Sequence, residues 1–163
     1  MRHAKSDWSD QGVLDFDRPI NKRGQKNARR IGLWMDENNL VPDQIVCSPA
    51  LRARQTIELV TEQIKEIDAS TIYFDESLYL ADLETLIEII QIYKSKHNSL
   101  MIVAHNPGLE ELVNYLIVQS KINLDYESLT TANLVIFKYK DSQFDPVTDQ
   151  GELLEFIRPK ELD

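Results

Sequence analysis

The sequence alternates short apolar runs with longer amphipathic segments, and this alternation is the feature that most restricts the fold. Residues 100–104 are apolar throughout and bounded by polar residues, which predicts a fully buried strand. Other apolar runs predict strands over 44–47 and 71–74, with two closing strands over 133–139 and 153–157. The helical spacing of apolar residues predicts helices over 21–39, 50–67, 83–93 and 108–118.

Strands that alternate with helices predict an α/β fold of three layers, a mostly parallel sheet with helices on both of its faces. The 163 residues contain no repeat and no long linker, so we expect a single domain over residues 1–163. Arg2 and His3 would fit at the end of a first strand, but Met1 leaves no residues for that strand. We therefore expect the first strand to be missing at the N-terminus.

Charge and composition argue against several classes of function. The net charge of −9 argues against a general nucleic-acid binder, and the apolar runs are too short to cross a membrane. Met1 leads directly into charged residues, so we expect no secretory leader, and the single Cys47 fits a reducing cytoplasm. One cysteine and three histidines argue against a dedicated zinc site. We expect a cytoplasmic monomer without metal or cofactor.

Positive charge is concentrated towards the N-terminus. Residues 1–54 hold ten Lys/Arg and seven Asp/Glu, a balance of +3, whereas residues 55–163 hold eight and twenty, a balance of −12. The sequence leaves two explanations open. The asymmetry reflects solvated helix faces distributed by chance, or it marks a cationic pocket for a small anion on an otherwise acidic protein.

Three segments carry side chains suited to phosphate chemistry. Arg2 offers a guanidinium, which grips phosphate with two parallel hydrogen bonds, and the neighbouring His3 offers an imidazole that can attack phosphorus. Arg52 lies early in the helix predicted after Ser48, where free backbone N–H groups favour anions. His105 directly follows a buried strand. Because ligands of such sheets bind beyond the carboxyl ends of the strands, we expect these side chains to meet there.

Taken singly, these residues have ordinary structural explanations. Arg52 would be a solvated helix arginine, Ser48 a helix cap and His105 a hydrogen-bonded core histidine. The coincidence of three such segments favours a phosphate site, in which a protonated His105 would stabilise charge on the phosphoryl oxygens. For Arg54 we predict a solvated position on the helix.

The order and spacing of four segments resemble those of the histidine phosphatase superfamily. These segments are residues 2–5 (RHAK), 17–20 (DRPI) with Gly24 after them, 48–56 (SPALRARQT) and 103–108 (VAHNPG). Within the superfamily the chain is most similar to the small phosphohistidine phosphatases of the SixA type, to which residues 129–133 also correspond. The similarity extends over nearly the whole chain, and it implies the phosphoglycerate mutase-like form of the α/β fold.

The resemblance implies a role for each matching residue. His3 would be the nucleophile that accepts the phosphoryl group, and Arg2, Arg52 and His105 would complete the phosphate pocket. Arg18 matches a frequent arginine of this subgroup, so we expect it to bind phosphate as well. The superfamily's usual Arg-His-Gly is Arg-His-Ala here.

The resemblance leaves the proton donor and the substrate open. Larger members carry an acidic donor after the second helix, and Glu76 is the nearest candidate, although its surroundings differ. An alkoxide leaving group needs such a donor, whereas the imidazole of phosphohistidine leaves readily once its ring is protonated. Residues 56–99 also contain no large insertion that would cover the pocket. Both points favour a phosphohistidine-containing protein as the substrate.

We therefore predict a metal-independent phosphatase that acts on protein phosphohistidine through a phosphohistidine enzyme intermediate. The alternative enzyme is a phosphatase or mutase of small phosphate esters. The alternative from another class is a phosphate- or phosphoprotein-binding module without turnover.

Overall fold

The computed structural model describes residues 1–94, 97–124, 128–141 and 143–162. Its helices are α1 (Lys22–Glu37), α2 (Leu51–Thr61), α3 (Leu83–Tyr93) and α4 (Gly108–Gln119). Its strands are β1 (Gln44–Cys47), β2 (Ile72–Phe74), β3 (Leu100–Val103), β4 (Leu134–Lys138) and β5 (Glu152–Ile157). Short 3-10 turns lie at Asp15–Asp17, Ala69–Thr71, Glu76–Leu78 and Pro159–Glu161.

Strands β1, β2 and β3 form a parallel sheet in the order β2-β1-β3. One core cluster lies between this sheet and α1 and α2, and it includes Ile31, Ile57 and Met101. A second cluster lies between the opposite face and α3 and α4, and it includes Leu86 and Leu112. The predicted three-layer α/β fold with helices on both faces of the sheet is confirmed. In the part of the chain that is described, no helix is long and apolar enough to cross a membrane.

Helix α2 is shorter than its amphipathic pattern predicts, and a contact with α1 lies just beyond its end. The pattern continues to residue 67, but the helix ends at Thr61. The Asp36 carboxylate at the end of α1 accepts hydrogen bonds from the backbone N–H and the Nζ of Lys65, at 3.0 and 2.7 Å. That pairing removes the Lys65 N–H from helical bonding, although Ile64 still packs into the core.

The two closing strands form an antiparallel hairpin, and the N-terminal residues lie between it and the parallel sheet. Arg2 makes a one-residue parallel bridge with Ala104, just beyond β3. On its other side the Arg2 N–H donates to the Asn133 carbonyl at 3.1 Å. Met1 to His3 therefore occupy the position of a strand end. An apolar cavity of about 510 Å³, lined by side chains that include Leu112 and Phe137, continues between β3 and β4.

The chain order of the sheet creates a crevice at one end. After β1 the chain crosses to α2 on one face, and after β3 it crosses to α4 on the other face. Because β1 and β3 are neighbours, the connections that follow them diverge and leave an opening above their carboxyl ends. Ser48 and His105 are the polar residues that follow these two strands closely.

Candidate active site

His3 is held rigidly with one ring nitrogen left for chemistry. Its backbone N–H donates to Ala104 at 3.2 Å, its carbonyl accepts from Ala132 at 3.1 Å, and the residue is only 7% exposed. Its Nδ1 lies 2.7 Å from the Ala4 carbonyl oxygen. Since a carbonyl oxygen only accepts, Nδ1 carries the hydrogen and donates. The lone pair of the neutral ring is therefore on Nε2.

His105 lies beside His3 and is oriented by Ser48. The two imidazole rings have centroids 5.0 Å apart, and His105 is 2% exposed. Its Nε2 lies 2.6 Å from the Ser48 hydroxyl oxygen, and among the described residues its buried Nδ1 has no hydrogen-bond partner. When the Ser48 hydroxyl donates to Nε2, the ring hydrogen lies on Nδ1, which can then donate to a bound oxygen.

The helix-cap explanation for Ser48 is wrong. Helix α2 begins at Leu51, its N-cap residue is Ala50, and no side chain caps it. The buried Ser48 hydroxyl is placed against His105 instead, so the polar group after β1 fixes the histidine that follows β3.

Arg52 is buried at the start of α2, so its explanation as a solvated helix arginine is also wrong. It is 5% exposed. Thr56, one turn later, accepts from the Ala4 N–H at 2.9 Å and donates to the Arg52 carbonyl at 2.6 Å. This bond ties the Arg52 helix to the residue after His3. Arg54 is exposed, with its guanidinium 5.1 Å from the centre of the Phe74 ring.

Two residues that the sequence did not single out complete this side of the site. The Arg52 guanidinium donates to the Asp15 carbonyl and, at 2.9 Å, to the Asp15 carboxylate. The Tyr79 hydroxyl donates to the same carboxylate oxygen at 2.8 Å. The Tyr79 ring also meets His105 edge-on, with centroids 5.6 Å apart. Tyr79 follows β2, and its position beyond a strand end is the signal that could have identified it.

Arg2 is anchored from the opposite side of the site. Its guanidinium donates to the Leu129 carbonyl at 2.7 Å. Glu110 lies nearby, and its carboxylate accepts from the Asn106 side chain and the Leu129 N–H, both at 2.9 Å. The positive charges of Arg2 and Arg52 both act on His3, so the structure brings these three predicted residues together.

Arg18 is buried but faces the base of the loop rather than open space. Its guanidinium donates to the carbonyls of Asp7, Asp10 and Val13 at 3.2–3.3 Å. It also stacks over Trp8, with its central carbon 3.9 Å from the ring centre. These contacts fold the segment between Asp7 and Arg18 into a closed loop. A direct role of Arg18 in phosphate binding stays a prediction.

Burial makes both histidines neutral at neutral pH. Desolvation, with smaller contributions that include repulsion by Arg52 and Arg2, lowers the pKa of His3 to about 4. Desolvation, followed by repulsion from His3 and Arg52, lowers the pKa of His105 to about 3. A neutral His3 is the nucleophilic form. The protonated His105 expected from the sequence is therefore not the resting form, and a bound dianion would favour its protonation.

Glu76 lies exposed in the turn Glu76–Leu78 after β2, and its role as proton donor stays a prediction. Among the described residues, no group of three or more His, Cys, Asp or Glu side chains lies close enough to hold a metal ion. The cations that the site offers an anion are the guanidiniums of Arg2 and Arg52.

Comparison with known sequences agrees with this site. The model of the histidine phosphatase superfamily (branch 1) matches residues 1–78. Proteins of two Mycobacterium tuberculosis strains, both described as uncharacterized, are 40% identical over 112 residues. The match covers 69% of this chain and 66% of the relative, so the chain spans about two thirds of the length of these relatives.

Solved structures extend the similarity to nearly the whole chain. A structure from Agrobacterium tumefaciens that carries the assignment phosphohistidine phosphatase SixA is 27% identical, with a TM-score of 0.77, covering 98% of this chain and 95% of that chain. The protein histidine phosphatase SixA complexed with tungstate is 20% identical, with a TM-score of 0.80, covering 100% and 97%. At 20% identity, the similarity to the tungstate complex shows a common fold. Since the family model matches the segment that holds His3 and Arg52, and a SixA structure matches the chain from end to end, this protein belongs to the histidine phosphatase superfamily and is of the SixA type.

Proposed function

We propose that this protein is a metal-independent phosphatase that removes the phosphoryl group from phosphohistidine in another protein. One observation carries the proposal. The Nδ1 of His3 is committed to a backbone carbonyl, which leaves a lone pair on the Nε2 of a neutral ring beside His105. Two buried or half-buried guanidiniums act on the same ring and supply the charge that a phosphoryl group needs.

The reaction then proceeds in two displacements. The Nε2 of His3 attacks phosphorus in line, and the His3 N–P bond forms as the substrate N–P bond breaks. The substrate imidazole, already protonated on its other ring nitrogen, takes the electron pair of the broken bond and leaves as a neutral ring. Water then attacks the phosphorus of phospho-His3, the N–P bond breaks, and inorganic phosphate leaves a neutral His3. Each displacement passes through a five-coordinate arrangement whose equatorial oxygens carry negative charge.

The other predicted residues neutralise that charge and position the phosphoryl group. Arg52 and Arg2 would donate from two sides, and His105, held by Ser48, would donate from Nδ1. Arg18 would act with them by shaping the loop that borders Arg52. Glu76 remains the candidate proton donor for substrates that leave as alkoxides.

A protein substrate is favoured over a small metabolite by two considerations. The structure from Agrobacterium tumefaciens carries the name of a phosphohistidine phosphatase. In addition, a phosphohistidine leaving group needs little acid assistance, and Glu76, the acid suggested for this chain, is exposed. We propose a monomeric cytoplasmic enzyme whose substrate is a protein that carries a phosphorylated imidazole.

The test compares a phosphohistidine-containing carrier protein with a panel of sugar phosphates and a chromogenic phosphate ester. We expect the highest kcat/KM on the phosphohistidine protein, and brief incubation with labelled substrate should leave acid-labile, base-stable phosphate on the enzyme. His3→Ala should remove both the label and the turnover. A higher kcat/KM on a sugar phosphate would favour the small-ester alternative. Binding of phosphate without turnover of any substrate would favour the binding module.

A further inference from the structure

The tip of the loop between Asp7 and Arg18 places an anion on the guanidinium proposed to bind phosphate. The Arg52 guanidinium donates to both the backbone carbonyl and the carboxylate of Asp15, and the Tyr79 hydroxyl donates to the same carboxylate oxygen. Asp15 therefore engages one donor on each terminal nitrogen of Arg52, the pair with which a guanidinium would grip a phosphoryl group.

The negative charge of Asp15 acts on both catalytic histidine candidates. Its carboxylate opposes the lowering of the pKa of His3 and of His105 that burial and the arginines cause. Asp15 is therefore within electrostatic reach of the place where the phosphoryl group would bind. A phosphate dianion brought to that place would be repelled by Asp15 and would compete with it for Arg52.

The loop is held from within by Arg18, whereas its tip is exposed. Arg18 bonds the carbonyls of Asp7, Asp10 and Val13 along the loop, and beyond the loop the Ile20 N–H donates to the Gln55 side chain on α2 at 2.9 Å. The tip, the 3-10 turn Asp15–Asp17, has no buried residue, and the Asp15 side chain is 46% exposed. Outward movement of the tip would break the edge-on contact between the Phe16 and Tyr79 rings, whose centroids are 5.0 Å apart, and the bonds of Asp15 to Arg52 and Tyr79. It would uncover no buried residue of the turn itself.

We propose that Asp15 is a built-in competitor of phosphate, which holds Arg52 in place while the site is empty and is displaced when a phosphoryl group binds. The proposal rests on the proposed function, because it takes Arg52 as a phosphate ligand. Asp15 then acts as a positioning residue: it keeps the guanidinium ordered and lowers the affinity for bound phosphate. The alternative is that Asp15 donates a proton to the leaving group, and the test must distinguish these two roles.

The charge state of Asp15 agrees with a competitor rather than a donor. Desolvation alone would raise the pKa of its carboxyl, but the hydrogen bond from Tyr79 and the charge of Arg52 outweigh that effect and lower it. The group is therefore ionised at neutral pH, where it has no proton to give to a leaving group.

The experiment measures tungstate and inorganic phosphate affinity by calorimetry, together with kcat and KM on a chromogenic ester. Asp15→Asn keeps the shape but removes the charge, and Asp17→Asn, an exposed neighbour in the same turn, is the matched control. We expect Asp15→Asn to bind tungstate about three- to tenfold more tightly and to lower KM in parallel, as for loss of a half-exposed ion pair. Asp17→Asn should change neither.

Unchanged or weaker tungstate affinity in Asp15→Asn would overturn the proposal. A fall in kcat of about a hundredfold, with the basic limb of the pH profile displaced, would also overturn it and would make Asp15 a proton donor. If Asp15→Asn does not fold, Asp15→Ser provides the same comparison. A wild-type protein that neither binds tungstate nor dephosphorylates the phosphohistidine carrier protein contradicts the proposed function itself. An active wild type with an unaltered Asp15→Asn variant contradicts only the role of Asp15.

Discussion

Lowering the pH should destabilise this protein through its two buried active-site histidines. An unfolded histidine titrates near 6.5, whereas the folded pKa values are about 4 for His3 and about 3 for His105. Between these values the unfolded chain binds more protons than the folded chain. Stability is therefore complete above about pH 6.5 and is lost as the pH falls towards the folded pKa values.

The magnitude follows from about 1.4 kcal/mol for each pKa unit. Between about pH 7.5 and about pH 5, each histidine should remove about 2 kcal/mol from the free energy of unfolding. Both side chains are almost fully buried, so little of this effect is screened by solvent. Together they would remove about 4 kcal/mol, a large part of the stability of an ordinary domain.

Urea unfolding at the two pH values measures this loss in the wild type, in His105→Gln and in His3→Gln. Each variant should show about 2 kcal/mol less pH dependence than the wild type, whatever its stability at a single pH. Other groups, such as the buried amine of Met1, titrate in all three proteins and cancel in the comparison. The same pH dependence in all three proteins would refute the assignment of buried neutral imidazoles. Added tungstate should reduce the wild-type loss, because a bound dianion favours protonated imidazoles.

Three further predictions concern the pocket. Arg52→Ala should raise the activation free energy derived from kcat/KM by about 2–4 kcal/mol, and Arg52→Lys should not restore activity. Arg54→Ala should change that activation free energy by no more than about 0.5 kcal/mol, and the melting temperature of each variant is measured alongside. An inactive Arg54→Ala would show that the pocket is placed wrongly. Activity should survive exhaustive chelation and be inhibited by vanadate or tungstate; loss with a chelator and recovery with a divalent ion would contradict this. Ser48→Ala should lower kcat more than it raises KM, because the His105 ring loses the hydroxyl that orients it. A rise in KM with kcat unchanged would instead indicate a simple loss of substrate binding.

The elements of the fold were accessible from the sequence because each has a local cause. The run at residues 100–104 and the helical spacing in α1, α3 and α4 reflect burial on one or both faces, which apolar periodicity reports directly. Beyond the end of α2 the chain bonds a carboxylate of α1 through Lys65, a contact between residues far apart in the sequence. Periodicity carries no information about such a contact, so the prediction of this helix was too long.

Some residues of the candidate site could likewise be predicted from local sequence, and others could not. His3, Arg52 and His105 follow strand ends or begin a helix, and the rule that ligands bind at these ends places them together. Asp15 is one of several acids in a polar loop, and nothing local distinguishes it from Asp17. Only the closure of that loop by buried hydrogen bonds selects which carboxylate reaches the site. The partner of Ser48 was missed for the same reason, because capping is a local explanation and the actual contact is not.

The two arginines also explain why this site contains carboxylates at all. A guanidinium held out of water without a counter-charge is strongly unfavourable, so each arginine needs an anion of the protein near it. Near Arg2 that anion is Glu110. Burial lowers the pKa of the Arg2 guanidinium, the charge of Glu110 opposes this lowering, and Glu110 is fixed by hydrogen bonds from Asn106 and the backbone. Near Arg52 it is Asp15, which is half exposed and lies at a loop tip.

The two carboxylates therefore differ in how readily they can leave. Displacing Glu110 would break its bonds to the Asn106 side chain and to the Leu129 N–H. Displacing Asp15 would break its bond from the Tyr79 hydroxyl, but it returns a half-exposed carboxylate to water and transfers the donors of Arg52 to the incoming phosphate. One arginine thus has a permanent partner and the other an exchangeable one. We expect substrate binding to reorganise the Arg52 side of the pocket and leave the Arg2 side unchanged.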